Sequence, residues 1–406
     1  MGERREFRNS LLLGLALTAV SLALHFAPVW ETMLNRGAET WDGHALPFDY
    51  IVGCIEEHRH GPEVAFTRRP LTTASIDALQ ALGIPPVIGF MIVGFGLFFL
   101  AGLLVHRIAR NLGCTPGQSL LAQLAFHAAP TVLFAWFDPM YTYDEPIQYA
   151  ALLLALMALL DEKTWAFIIA FSFALLARET SLLLLPAFAW IMRSRPREAL
   201  VAFATPLTIY ALFLFYFLPH TGTAEAALRD VAGRTSFLSI NFRNVQMLGE
   251  SLGYMALVLV LPVFLVARFP NGKACSDEDR LLLRAFWITL VLNTIVVLLA
   301  AKAREARLFA LPMIFAWPLL GKAIIAELGR GGGLRSFLSF LRKPLWAIEF
   351  VVKSAVLIIS VRMLFVLSTG IQQDNFFHEY LIGELLLILV CLYAAKHHQR
   401  SPLRPA

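Results

Sequence analysis

Carboxylates and guanidiniums recur in this sequence at the ends of apolar runs. At such places charge is costly, so the side chain must pair, line an aqueous cavity or meet a substrate. Asp42 and Asp49 follow the first apolar segment, Asp138, Asp144 and Glu145 precede the fourth, Arg178 and Glu179 part the fifth from the sixth, and Arg304, Glu305 and Arg307 precede the tenth. Asp49, in Pro47-Phe48-Asp49-Tyr50, has the chemistry of a general base beside the membrane. A loop acid, or a cap for a helix starting at Tyr50, is the plainer alternative. If helix begins near Asp144, Asp144 and Gln148 share a face, and Pro146 is tolerated in that first turn. Acids at a helix start also gain ~0.3–1 kcal/mol from the backbone dipole. Three acids among Phe137, Tyr141 and Tyr143 exceed what capping needs. Arg178 complements the end of one helix while Thr180 or Ser181 caps the next, an explanation that requires no ligand. In Lys302-Ala303-Arg304-Glu305-Ala306-Arg307, Arg304 and Arg307 are three apart and share a helical face. Two guanidiniums at headgroup depth suit a phosphate or diphosphate, and snorkelling to the headgroups is the alternative.

The elements that must position these groups are membrane helices. Of 406 residues, 58% are hydrophobic and 16% charged, with a mean hydropathy of +0.66, whereas soluble domains carry about 25% charge. This composition predicts an all-α, polytopic transmembrane bundle in one integral-membrane domain spanning 1–406. Apolar segments lie near 10–29, 84–105, 118–136, 146–160, 164–177, 180–192, 199–218, 251–267, 282–301, 307–326, 345–367 and 378–395. Counting each as a crossing gives about 12 helices, within a range of about 10–13, although the fourth to sixth are short for full spans.

Most of the 34 Lys and Arg residues fall on one side of that arrangement, including Arg4, Arg5, Arg8, Arg107, Arg110, Arg193, Arg195, Arg197, Arg268, Lys322, Arg330 and Lys396. The positive-inside rule then puts both termini in the cytoplasm, leaves 396–406 as a cytoplasmic tail and turns the charged clusters outward. The net charge of +5 therefore reflects topology and gives no reason to expect nucleic-acid binding. Leu11 to Ala27 reads as a retained first helix, since His25-Phe26-Ala27-Pro28 is a poor cleavage site. Outer loops are expected at 30–83 and 219–250, the first with short amphipathic helices over Tyr50–His58 and Thr72–Leu82. Compact loops and the lack of a glycosylation sequon in 30–83 favour a bacterial inner membrane.

Cys54, Cys114, Cys275 and Cys391 offer no disulfide partner for Cys54 on its side. His58 and His60, in a charged solvated stretch, make a poor metal pair, so no metal ligands are assigned. Helix centres read as largely clean apart from His25, His127 and Asn293, which are taken as satisfied interior polar groups, while Lys353 falls within the eleventh segment. A transporter or lipid flippase would tend to show broken helices and mid-membrane polar groups. A scaffold would not need the charged groups to meet.

Taken in order, Phe48-Asp49-Tyr50, Arg69-Pro70-Leu71, Asp144-Glu145, Arg178-Glu179-Thr180 leading into Leu182 to Pro186, and Arg304-Glu305-Ala306-Arg307-Leu308-Phe309 with Pro312 form a set. Over residues 1–326 that set resembles the GT-C superfamily of polytopic membrane glycosyltransferases. The resemblance implies transfer of a sugar from a polyprenyl-phosphate donor to an acceptor glycan, lipid or protein at the outer face, among membrane lipids. It gives Asp49 the role of the catalytic acid of the first loop. Asp144 and Glu145 match the second acidic loop, and Arg69, Arg178, Glu179, Arg304, Glu305 and Arg307 are the further substrate-binding positions. Asp49 is not part of a paired Asp-Glu motif, which leaves metal use open; a divalent cation, if used, falls to Asp144 or Glu145. In mechanism, cations stabilise the departing phosphate while Asp49 takes the acceptor proton in an inverting displacement.

Overall fold

The computed structural model describes residues 2–26, 69–136, 142–220, 237–269, 275–301, 303, 306–333, 338–369 and 375–400. Among these residues every ordered element is a helix. In chain order they are α1 (Gly2–Phe26), α2 (Pro70–Ala81), α3 (Pro86–Asn111), α4 (Pro116–Ala128), the single turn α5 (Pro130–Leu133), α6 (Glu145–Leu160) and α7 (Thr164–Ala177). A 3₁₀ segment (Glu179–Leu184) runs into α8 (Leu185–Ile191), followed by α9 (Pro196–His220), α10 (Phe237–Asn241), α11 (Val245–Arg268) and α12 (Asp277–Ala300). A 3₁₀ turn (Ala306–Phe309) precedes α13 (Met313–Arg330), and α14 (Pro344–Thr369) and α15 (Asn375–Arg400) complete the set.

Each apolar segment expected from the sequence is helical over most of its described residues, but seven have the dimensions of a crossing. Seven helices among the described residues are long and apolar enough: the spans Arg4–His25, Pro86–Asn111, Pro196–Tyr216, Val245–Arg268, Asp277–Ala300, Pro344–Met363 and Phe377–Gln399. α6 has 16 residues and α7 has 14, and at 1.5 Å per residue neither reaches the ~30 Å of hydrocarbon. The expected segment 118–136 is broken at Ala129, because Pro130 cannot continue the hydrogen-bond ladder of α4. The segment expected at 307–326 starts as helix only at Met313. Of the two amphipathic stretches expected in the first loop, Tyr50–His58 lies outside the described residues. The other is α2, which packs on α3 and α7 and buries Ile76 rather than lying free on the membrane surface.

Local sequence starts the helices where the packing needs them. Thr115 caps α4 in a capping box with Gln118, and Pro116 occupies the first turn. Ser276 and Asp279 form the same device at α12. α13 crosses α4 so closely that a Cβ on Gly321 would collide with the backbone carbonyl of Gln118. Bulky rings fill the interior: Trp136 packs 4.2 Å from Phe95, and Trp317 meets Phe126 at 4.8 Å and Tyr149 at 5.3 Å, measured between ring centroids.

Ion pairs close one end of the bundle. Arg268 and Arg330 both hold Glu327, Arg110 pairs with Glu6, and Lys322 reaches Asp279 at 2.9 Å and the Leu112 carbonyl at 2.7 Å. Apart from Lys322, midway along α13, these groups sit at the ends of α3, α11 and α13 and at the starts of α1 and α12, the end that carries the basic excess. The other end is where α6 starts and α7 stops.

Candidate functional site

Four stretches of chain meet at that other end: Arg69 at the entry to α2, Asp144 and Glu145 at the start of α6, Arg178 and Glu179 at the end of α7, and Arg307 in the 3₁₀ turn before α13. Arg69 donates to both oxygens of Glu179, from Nε to Oε2 at 2.8 Å and from Nη2 to Oε1 at 2.7 Å. Its Nη1 lies 3.5 Å from Asp144 Oδ2. Glu145 Oε1 pairs with Arg178 and, at 3.1 Å, with Nε of Arg307, while its Oε2 accepts from the Tyr143 backbone N–H at 3.0 Å. Three guanidiniums and three carboxylates thus balance one another. Asp144 is 1% exposed, Glu145 2% and Arg178 5%.

Uncharged groups fix the frame. Gln148 donates to the hydroxyls of Thr180 at 3.0 Å and Ser181 at 2.9 Å, and Ser181 donates to the Ala174 carbonyl at 2.9 Å. The start of α6 is thereby tied to the break between α7 and the following 3₁₀ segment. Tyr143 stacks on Phe90 at 5.6 Å, and its hydroxyl lies 3.1 Å from that of Thr73.

The geometry shows which of these residues act as helix caps. Asp144 stands at the N-cap of α6 but makes no side-chain capping bond; it faces Arg69 instead. Thr180 and Ser181 do not cap the segment that follows and serve as acceptors for Gln148. Arg178 is turned inward to Glu145, not left to complement a helix end. Arg307 lies on a 3₁₀ turn, so the α-helical face expected to carry it together with Arg304 is not present at Arg307. The cause is local: Pro312 disfavours helical geometry in the residue before it, and the α-helix waits until Met313.

Burial and charge oppose each other here. Burial works to raise the Glu179 carboxyl, yet the paired Arg69 and nearby Arg178 hold it down to about 2. At Asp144 the balance runs the other way: burial raises the carboxyl despite Arg69 and Arg178. Burial, with Arg69 and Arg307 as like-charged neighbours, brings Arg178 down to about 9. A carboxyl lifted by burial beside cations is a site where a proton or an anionic group changes the charge balance at small cost.

Asp49, Arg304 and Glu305 lie outside the described residues, as do Asp42, Asp138 and Cys54. The other six expected site residues, Arg69, Asp144, Glu145, Arg178, Glu179 and Arg307, share the network above. No group of three or more His, Cys, Asp or Glu among the described residues has the arrangement of a metal site. Cys114, Cys275 and Cys391 are free thiols.

Sequence reading passed over Glu384, inside α15 and 6% exposed. A carboxylate in Leu381-Ile382-Gly383-Glu384-Leu385 was the available signal, since an ionisable residue inside a span is itself a functional candidate. His25 does fit the reading of a satisfied polar group: its Nδ1 lies 2.7 Å from the Ser21 carbonyl and its Nε2 accepts from the Trp136 backbone N–H at 3.3 Å. Compared with known proteins, the chain matches no family model, no curated protein and no solved structure.

Proposed function

We propose that this chain is a membrane glycosyltransferase that moves a sugar, with inversion, from a polyprenyl-phosphate donor to an acceptor at the exterior face. A bacterial inner membrane with both termini in the cytoplasm is the setting we propose for it. The observation that carries this reading is the buried cluster in which Arg69, Arg178 and Arg307 meet Asp144, Glu145 and Glu179 from four separate stretches of sequence. A structural role alone asks for fewer charges, because well-packed apolar residues stabilise a core at least as well as buried ion pairs do.

A lipid-linked sugar phosphate carries its own leaving group, so the demand on the protein is electrostatic. As the glycosidic bond breaks, charge grows on the phosphate, and fixed guanidiniums stabilise it without reorganising. Arg307 is the cation chosen for that task, with Arg304 beside it. In the resting protein Glu145 holds Arg307 together with Arg178, and an arriving phosphate competes with that carboxylate for the same donors. Asp49 takes the proton of the acceptor hydroxyl. Asp144 and Glu145 orient sugar or acceptor hydroxyls, Arg69 and Glu179 hold Asp144 in place, and Glu305 completes the charged stretch that includes Arg304.

The test is native mass spectrometry of the purified protein for a co-purifying isoprenoid phosphate, followed by turnover with the sugar-loaded form of that lipid. Bound lipid with transfer is the expected result, and absence of the lipid removes the proposal. Bound lipid without transfer points to the second reading, a lipid flippase or transporter. The one observation that favours this second reading is Glu384, a carboxyl inside a span.

A further inference from the structure

Away from the ionic cluster, a cavity of about 220 Å³ lies among α4, α5, α11, α13 and α15. Its walls are mainly Leu, Ala, Pro and Ile, and Leu124, 40% exposed, borders it on the lipid side. Thr131, Trp317, Tyr380 and Glu384 are the lining residues with polar side chains. Among the described residues, Glu384 carries the only carboxyl of the lining, and no Lys, Arg or His joins it.

This carboxyl is not explained by packing. Its Oε2 is buried without a hydrogen-bond partner among the described residues. Tyr380, one turn away on α15, is the nearest donor by sequence, but its hydroxyl proton goes to the Ala128 carbonyl. That carbonyl is available because α4 ends there, before Pro130. The break in α4 thus ties up the one phenol that could have satisfied Glu384.

We propose that this cavity is a binding site for a lipophilic organic cation, an ammonium on a single hydrocarbon chain that enters from the membrane. Glu384 is the counter-ion, and the aromatic walls of Trp317 and Tyr380 add cation–π attraction. The volume sets a guest smaller than a drug-sized ligand, for which pockets begin near about 300 Å³. Charge argues for the cation, because a buried carboxylate inside a span is stabilised by an opposite charge and the described lining supplies none. The site is separate from the transferase reading and does not depend on it.

The experiment is equilibrium binding of radiolabelled decylamine and decanol, which share a chain length, to the full-length protein in nanodiscs, with empty nanodiscs subtracted. Saturable binding of decylamine is expected, at least about ten-fold tighter than decanol. Glu384→Gln, which keeps the shape, should weaken decylamine about ten-fold or more and leave decanol unchanged. Ala125→Phe, which fills the cavity without touching the carboxyl, should abolish saturable binding of both. Equal affinity for the two chains, or decylamine binding that survives either substitution, overturns the proposal. If Glu384→Gln does not fold, Ala125→Phe decides alone.

Discussion

Arg69 and Glu179, 110 residues apart, form a two-point clamp in which a guanidinium edge meets both carboxylate oxygens at 2.7 and 2.8 Å. The clamp joins the entry of α2 to the exit of α7, and Asp144 shares the same guanidinium. Removing one partner leaves the other charge buried, a loss of roughly 3–5 kcal/mol, whereas replacing both with apolar residues of similar volume is often near neutral. Arg69→Gln should therefore unfold at markedly lower denaturant than the native protein. The double variant Arg69→Met with Glu179→Leu should recover only the share of that loss owed to the orphaned Glu179 in the same detergent-solubilised titration, because the buried Asp144 still loses its guanidinium partner; it should remain inactive in transfer if the cluster works as proposed.

The same pair makes stability depend on acid. Glu179 is held at about 2, below its ordinary value of 4.5. A carboxyl depressed on folding adds stability that is fully present above 4.5 and fades as pH falls toward 2, an effect of about 3 kcal/mol at full extent. Unfolding midpoints measured from pH 6 to pH 3 should fall for the native protein. In Glu179→Gln they should start lower and fall less steeply, and parallel slopes would show that Glu179 does not govern the acid loss.

How much of this could be read from the residues varies with the kind of feature. Helical segments were legible because apolar length alone marks them, as in α3 and α12. For the crossings, seven helices among the described residues have the length and apolarity of a span, whereas α6 and α7 are as apolar but too short, a difference that only the observed helix ends reveal. In the cluster, residue types announced themselves, while pairings did not. Nothing local says that Arg69 belongs to Glu179 or that Arg178 and Arg307 share Glu145, because those distances are set by the packing of α2, α6 and α7. Glu384 escaped for a different reason: two acids, Glu379 and Glu384, in a 26-residue helix barely alter its mean hydropathy.

Arg307 offers a kinetic test. Losing one preorganised electrostatic donor typically costs on the order of 10²–10³ in kcat. Arg307→Gln should lower kcat by about that factor with a smaller change in the KM for the lipid donor, since the charge it stabilises is largest in the transition state. Arg307→Lys keeps the charge but loses the planar fork, so an intermediate kcat is expected. A variant altered only in KM would reassign Arg307 to ground-state binding.

Asp49 is tested most directly by Asp49→Asn, which keeps size and removes basicity. Membrane insertion and expression should match the native protein, while transfer falls to background. Full activity in that variant removes Asp49 from the mechanism, and the raised carboxyl of Asp144 then becomes the next base to examine.

Gly321 probes the frame and not the chemistry. It lies where α13 crosses α4, with the space for its missing Cβ already taken by the Gln118 carbonyl, a backbone atom that cannot rotate aside. Gly321→Ala must therefore push the two helices apart. Overpacking of this kind costs about 1–3 kcal/mol, more than the ~1 kcal/mol that alanine gains over glycine in a helix interior. The displacement is transmitted to Lys322, the next residue, whose ammonium bridges Asp279 and the Leu112 carbonyl. A lowered thermal midpoint is expected, together with faster hydrogen exchange at the α4–α13 contact. A midpoint at or above the native value would mean that the helices can separate there without penalty.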